Sequence, residues 1–483
     1  MSYDVVVVGA GIGGLTVAAL LSSRGINTCL LERQSQVGGC VARVEFAQHY
    51  FDPGVGIYPE WAPNQIHQRI FSELPVESPS VSLLDKEIVV RLESGTDVYL
   101  YKDDAQFFTE LQRVFPECSK RAIELYRDLT RSAELSEKTI TQGADSKKSI
   151  VANLRRVCSN RAHYVDKPLL HHISDTSPNF QAFIAAQLNI LTHTSLEDAN
   201  FFTAALVLSL LRQSLYSIHG GPAMLAERLA ESIVASGGRV RLDTPVLRLA
   251  YDNNGTALGV DLLSGETVLA KHAIVSNLTI WDTYGKLVGL NRTPTEVKTL
   301  LANLPGSGAY VLYASLEDAA RSRLPSSHIL FDSRNEGGPF SFSVAHVSTH
   351  NAPTGKRSVT VTTPADVNEW FAYQSSPDDV EQWDQTALET IWQRLHRALP
   401  ELGGDIEVVE TSNPRTIYDS TRRKLGMVLG SGQVTRDVRS AEFETTLPNV
   451  FIVSDTVSPL PNVASVSQSA LLIANKLTKL IKR

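Results

Sequence analysis

The chain has 483 residues, 45 Lys and Arg against 52 Asp and Glu, a formal charge of −7, and 20% charged and 43% hydrophobic residues. That length implies about two or three domains around a large buried core, and the ordinary composition excludes a disordered chain, a collagen-like repeat and a coiled coil. A mildly acidic chain lacks the basic surface that nucleic acid requires, and its longest strongly apolar stretch, Phe201 to Leu211, is broken by Thr203 and Ser209, short of the roughly 18 residues of a bilayer span.

In chain order, the first element is the β-branched run Val5 to Val8, suited to a parallel strand buried on both faces. Nothing before it forms a basic region or cleavage site, so no signal or transit peptide is expected. Gly9-Ala10-Gly11-Ile12-Gly13-Gly14 follows at once, then a helix from about Leu15 to Ser23 ending at Gly25, then a strand from Thr28 to Glu32. Together they form a βαβ unit with a glycine-rich crossover. Gly9 permits the tight turn, Gly11 lets the backbone approach a pyrophosphate, and Gly14 lets the helix pack on the strand. Glu32 ends the second strand, where a carboxylate can accept both hydroxyls of an adenosine ribose. The unit predicts a bound dinucleotide.

Further along, Arg33 to Gly39 has the form E-R-x-x-x-x-G-G when read from Glu32, and Phe51-Asp52-Pro53-Gly54 reads either as an F-D-x-G motif or as a plain Asp-Pro-Gly loop. Ser132 to Ser159 is polar and charged, as expected of a connecting segment. Asn200 to Ile218 is apolar and reads as a core helix, with a tunnel or membrane-docking surface as the alternative. Tyr216 to Met224 carries His219-Gly220-Gly221, followed by Leu225 to Leu229 with helical character and a strand from Val240 to Leu249. Strands are expected at Ala257 to Asp261, Thr267 to Ala270, Ala273 to Asn277 and Val450 to Asp455, and a final helix has apolar spacing at Leu471, Ala474, Leu477 and Ile481. The four cysteines lack paired CxxC spacing and are expected to be reduced and structural, and neither HExxH nor GxSxG occurs, so no metal is expected.

Taken together, these segments resemble the FAD-dependent carotenoid desaturase and isomerase family of the amine oxidase superfamily, phytoene desaturase-like, over nearly the whole chain. Ile66-His67-Gln68-Arg69-Ile70-Phe71, Ala345-His346 with Ala352 to Lys356, and Pro414-Arg415-Thr416 with Gly426 and Gly430 resemble the cyanobacterial carotenoid 3′,4′-desaturase type in particular. The resemblance implies an α/β fold, with a Rossmann-like FAD-binding domain of the glutathione reductase-2 type and a discontinuous mixed α+β substrate-binding domain. The FAD part is expected at 1–80, 215–290 and 420–483, and the substrate part at 81–214 and 291–419. Gly9, Gly11, Gly13, Gly14, Glu32, Arg33, Gly38 and Gly39 are expected to hold FAD. Val246 would meet adenine through its backbone, Asp455 the ribityl or phosphate region, and the last helix near Val466 the reduced ring. His219 is the catalytic candidate, a proton shuttle, with a structural histidine as the plainer alternative.

The implied reaction is desaturation of an apolar polyene, with isomerisation or saturation as the alternative, and a catalytically silent binding protein like the Rab-escort and GDP-dissociation-inhibitor relatives of the fold as a third reading. The implied setting is cytoplasmic with peripheral membrane association, and oxygen or a quinone as electron acceptor. One motif departs from the family. Where its last segment reads roughly G-D-x-x-x-P-G-x-G-x-x-G, this chain has Ser454, Leu460, Asn462 and Ser465 at the glycine positions. Either the cofactor stands farther from this segment and binds less completely, or the loop has re-formed around the new side chains.

Overall fold

The structure is a computed structural model and describes residues 2–84, 86–141, 167–304, 306–331, 338–346, 352–372, 377–430, 445–458 and 460–482. Strand β1 (Ser2–Val8) is buried at every residue from Val5 to Val8, and β2 (Thr28–Leu31) is buried throughout, as strands covered on both faces must be. They pair in parallel from Val5↔Thr28 to Val8↔Leu31. On its other side β1 pairs in parallel with strand Thr267–Ser276, from Ser2↔Leu269 to Val8↔Ser276, and the end of that strand pairs in parallel with Val450–Ile452. Arg239–Arg241 extends the sheet beyond β2. The first residues of strand Thr267–Ser276, Thr267 to Leu269, also start an antiparallel meander with Ala257–Leu262 and Val246–Tyr251.

Helix α1 (Ile12–Ser23) starts earlier than Leu15, where the sequence places it, because Gly13 and Gly14 take helical backbone rather than extending the turn. It ends at Gly25, whose φ of +77° supplies the left-handed residue that stops a helix, with Gly25 N–H bonding Ser22 O and Ile26 N–H bonding Leu21 O. Being apolar all round, α1 is buried between the sheet, helix Ala223–Ala235 and the terminal helix Val463–Ile481. The single strand expected over 240–249 is two strands in different parts of the sheet, parted by a turn with Asp243 at φ +49° and followed by Pro245.

A second sheet runs in the order 406–412, 306–317, 356–365, 340–344, 328–331, 89–91 and 97–99. It is antiparallel except where His328–Phe331 runs parallel to Val89–Arg91. One face packs on Trp370, Ile391, Leu395 and Leu399. The other meets the hairpin Val44–Phe46 and His49–Phe51 through Ala309, Val311 and Tyr313. All strands of the first sheet lie within 1–80, 215–290 and 420–483; those of the second lie within 81–214 and 291–419, apart from Leu429–Gly430, which pairs with Gly306–Ser307. A small sheet of Tyr58–Pro59, Leu215–Ile218 and Val81–Leu83 stands where the chain passes between the two regions.

An apolar helical layer covers the second region: Ser119–Thr141, Pro178–Thr192 and Phe201–Leu210 share one cluster. In Phe201–Leu210 every residue from Thr203 to Leu208 is buried. This helix belongs to the core, as the first of the two readings of the segment has it. Helix Ser119–Thr141 takes the first part of the Ser132–Ser159 segment, and 142–159 lie outside the described residues. Among the described residues no helix is long and apolar enough to cross a membrane, no group of three or more His, Cys, Asp or Glu is arranged to hold a metal, and Cys29, Cys40 and Cys118 are free thiols.

Candidate cofactor and substrate site

The crossover from β1 to α1 builds a loop with no room for side chains. Gly9 has a φ of +98°, and a Cβ at Gly14 would stand 2.2 Å from Gly9 O. Cβ atoms at Gly11 and Gly13 would stand 2.5 and 2.7 Å from the amide group of Asn277. Asn277 ties the site together: its N–H donates to Val8 O, and its Nδ2 donates to Val453 O at 2.5 Å, joining β1 to the end of strand Val450–Ile452. The double glycine after Glu32 folds back on this loop. Gly38 N–H donates to Ala10 O at 2.8 Å, and a Cβ at Gly39 would lie 3.4 Å from Gly11 Cα.

Glu32 accepts from Ala10 N–H at 2.7 Å on one carboxylate oxygen and from Gln34 N–H at 2.9 Å on the other. A carboxylate offers about four lone-pair positions, so both oxygens retain capacity toward a diol. The helix behind it is prepared for an anion. Its N-cap, Gly11, supplies no side-chain cap and the first turn holds no acidic residue, which leaves first-turn amides open to an anion such as a diphosphate. The loop, Glu32 and this open helix end fit FAD, and Gly9, Gly11, Gly13, Gly14, Gly38, Gly39 and Glu32 would hold it. The Arg33 guanidinium turns away to Ser420 O at 2.8 Å, so only its backbone is left to face the cofactor. Val246 opens the meander beside Thr244, whose N–H donates to Glu32 O at 2.7 Å.

The C-terminal segment is closed by its own side chains. Ser454, 1% exposed, shares a 2.7 Å hydrogen bond with Thr456 Oγ1, and its carbonyl accepts from Ser458 Oγ at 2.9 Å. Asn462 caps the terminal helix by accepting from Ser465 N–H at 2.8 Å, and Ser465 Oγ accepts from Leu460 N–H at 3.0 Å. Leu460, 7% exposed, packs into the apolar helical layer. None of these positions has a positive φ, so none needs glycine. Val466 N–H bonds to Asn462 O within the helix, which leaves Val463 and Ala464 as the first-turn amides able to face a ligand.

Asp455 is met by a partner that local sequence did not reveal. Arg423 binds it through both terminal nitrogens, at 2.6 and 3.2 Å, and donates Nε to Met427 O. Burial works against the guanidinium charge, but the Asp455 carboxylate outweighs it and holds Arg423 firmly protonated. Cys40, next to Gly39, also hydrogen-bonds Arg423. It is solvent-accessible, and lost hydration pushes its thiol up, against the pull of Arg423.

A small pocket lies against the second sheet, and its wall includes Asp52, Ser217, His328, Ser343, His346 and Thr360, with exposed Lys86 beside them. Lost hydration pushes the Asp52 carboxyl up to about 7. Burial also lowers His328 to about 4, so it is a neutral ring, with Nε2 3.3 Å from Gly56 O. His219 stands behind this wall: its ring is stacked on His346 at 6.4 Å, and Nε2 is 2.7 Å from Ser82 Oγ. The structure thus brings His219 to the pocket through His346 rather than into it, and puts Asp52, whose F-D-x-G turn the family resemblance implies to lie close to the flavin, on the pocket wall.

The flavin containing amine oxidoreductase family matches residues 12–458. A prolycopene isomerase of Daucus carota is 25% identical over 98% of this chain and 80% of its own. A 4,4'-diapophytoene desaturase of Methylomonas is 23% identical over 85% of this chain and 82% of its own. In fold, an oxidoreductase from Methanosarcina mazei superposes with a TM-score of 0.68 at 15% identity, over 98% of this chain and 100% of that one. With an intact dinucleotide loop, its ribose acid and a family match that runs from α1 to the C-terminal motif, the chain belongs to the flavin containing amine oxidoreductase family and is an FAD-dependent oxidoreductase-like enzyme.

Proposed function

We propose that the protein acts with FAD on a carotenoid or related apolar polyene and that its reaction is C–C desaturation. The parts at 1–80, 215–290 and 420–483 would hold FAD, and those at 81–214 and 291–419 the polyene. One observation carries this reading: Leu460, in the loop that follows the Asp455 strand, packs into the same cluster as Phe183, Phe201 and Leu206. That apolar layer therefore reaches the loop next to Asp455, and a polyene seated along the layer's surface would end near that loop. The relatives named for carotenoid substrates span most of this chain and support the same substrate class.

Bound flavin supplies the two-electron chemistry. The chain's own residues bind and orient. Glu32 and the open amides of α1 fix the adenosine and diphosphate end, the Arg423–Asp455 pair sets the charge beside the double glycine, and the apolar helices exclude water from the substrate. Because such a substrate dissolves in lipid, the proposal includes loading at a membrane surface, with oxygen or a quinone as the terminal electron acceptor.

Isomerisation is the second reading, favoured by the prolycopene isomerase likeness over 98% of the chain. Anaerobic addition of a carotenoid to the FAD-loaded protein separates the two. Bleaching of the flavin band is expected for desaturation. A shift of the carotenoid spectrum without net flavin reduction would replace it with isomerisation, and a purified protein with no flavin band would overturn both.

A further inference from the structure

Asp52 follows strand His49–Phe51, and its backbone is pinned to the second sheet, where Thr360 Oγ1 donates to its carbonyl at 3.1 Å. An aspartate in an Asp-Pro-Gly turn ordinarily turns its side chain back onto the local backbone. This one does not: among the described residues its carboxyl makes no hydrogen bond and no ion pair. Glycines stand on two sides of it. A Cβ at Gly221 would come within 2.7 Å of Asp52 Oδ1 and one at Gly56 within 3.9 Å of Oδ2, and both glycines have positive φ. The carboxyl lines the small pocket described above, where Ser217 also presents a buried hydroxyl without a partner among the described residues. Tyr58, next along the loop, has a fully buried hydroxyl in the same condition and feels the Asp52 charge. The other titratable groups lining the pocket are Lys86, neutral His328 and His346, with His219 stacked behind His346.

A carboxyl with no structural bond, given space by Gly221 and lining a pocket with Ser217, His328 and His346, has the placement of a group that moves a proton. We propose that Asp52 is the proton acceptor of the reaction, an inference that rests on the desaturation reading. One substrate hydrogen leaves with its electron pair for the cofactor. The neighbouring carbon gives a proton to the Asp52 carboxylate, and the electrons of that C–H bond become the new C=C. Asp52 then returns the proton to water through the pocket. Its ionisation near neutral pH suits a group that must take up and release a proton in each cycle.

The test uses FAD-loaded wild type, Asp52→Asn and Asp52→Glu. Under anaerobic single turnover with lycopene, wild-type flavin bleaching should speed up as pH rises through about 7. Asp52→Asn should be roughly 100-fold slower or worse, lose that pH dependence and keep its full FAD-to-protein ratio, and Asp52→Glu should recover part of the rate. A wild-type rate and pH profile in Asp52→Asn overturns the proposal. If lycopene leaves the wild-type flavin oxidised while prolycopene is isomerised, the desaturation reading fails by itself. Proton exchange by Asp52 then requires deuterium from D2O in the isomerised product of wild type and none in that of Asp52→Asn, and an unlabelled wild-type product overturns it. Independently of turnover, the infrared carboxylic-acid band lost in Asp52→Asn should titrate near neutral pH. Titration in the ordinary aspartate range overturns the proposal.

Discussion

Two helix starts face the cofactor region, and they solve the same problem in opposite ways. Helix α1 begins in glycine, with no capping side chain and no acid in its first turn, so its amides wait for an external anion. The terminal helix begins at Asn462, which caps it internally, and Ser465 closes the loop back onto Leu460. A glycine loop gains close approach to a ligand at the cost of its own cohesion; the Ser454–Ser465 loop has its own hydrogen bonds and gives up part of that approach. The difference teaches that glycines missing from a familiar motif need not mark damage. Side chains that satisfy one another make a loop that stands without them.

The comparison can be broken at either end. The largest effect is expected from Gly14→Ala, whose Cβ would press on the carbonyl of Gly9, a backbone atom that cannot swing aside. The variant should purify without flavin, and a normal flavin spectrum would show that the loop is less tightly drawn than described. Leu460→Gly should lower stability by about 3–5 kcal/mol, because it empties a buried site and frees the unfolded chain. Denaturant melts would read this, and an unchanged midpoint would mean that Leu460 is not part of the core. Glu32→Ala should weaken FAD binding by about 1.5–3 kcal/mol through loss of a charged acceptor. Because Glu32 also holds Ala10 N–H, retention should fall even for adenine dinucleotides lacking flavin, as measured by calorimetric titration. The smallest effect belongs to Asn462→Ala, about 1 kcal/mol for a lost N-cap, visible in thermal melts and with little change in FAD binding. A large loss of FAD in this variant would show that the terminal helix end is part of the ligand site after all.

The sequence was most readable where structure is local. The Val5–Val8 run, the glycine loop and the Glu32 strand are contiguous, and each is dictated by backbone sterics or burial on both faces. The double glycine at 38–39 and the strand at 450–452 were legible for the same reason. What escaped was long-range. Asn277 bonds Val453 and packs under Gly11 and Gly13, and Arg423 reaches Asp455 through a fold that brings distant segments together, so no spacing rule marks either residue. Asp52 escaped differently. The F-D-x-G resemblance implies a turn close to the flavin but gives its carboxyl no role, and only the absence of a local bond in the folded chain points to one. The start of α1 at Ile12 was missed because glycine after glycine reads as loop, whereas close packing against Asn277 makes glycine the residue that fits there.

The claim that the altered C-terminal loop is adapted rather than impaired is tested most directly by the flavin-to-protein ratio of freshly purified wild type, measured beside Leu460→Gly. The account predicts stoichiometric FAD in the wild type and no gain in the variant, because the loop already stands clear of the cofactor on its own hydrogen bonds. Substoichiometric FAD in the wild type, rising when glycine replaces Leu460, would contradict it and show that the side chain crowds the site.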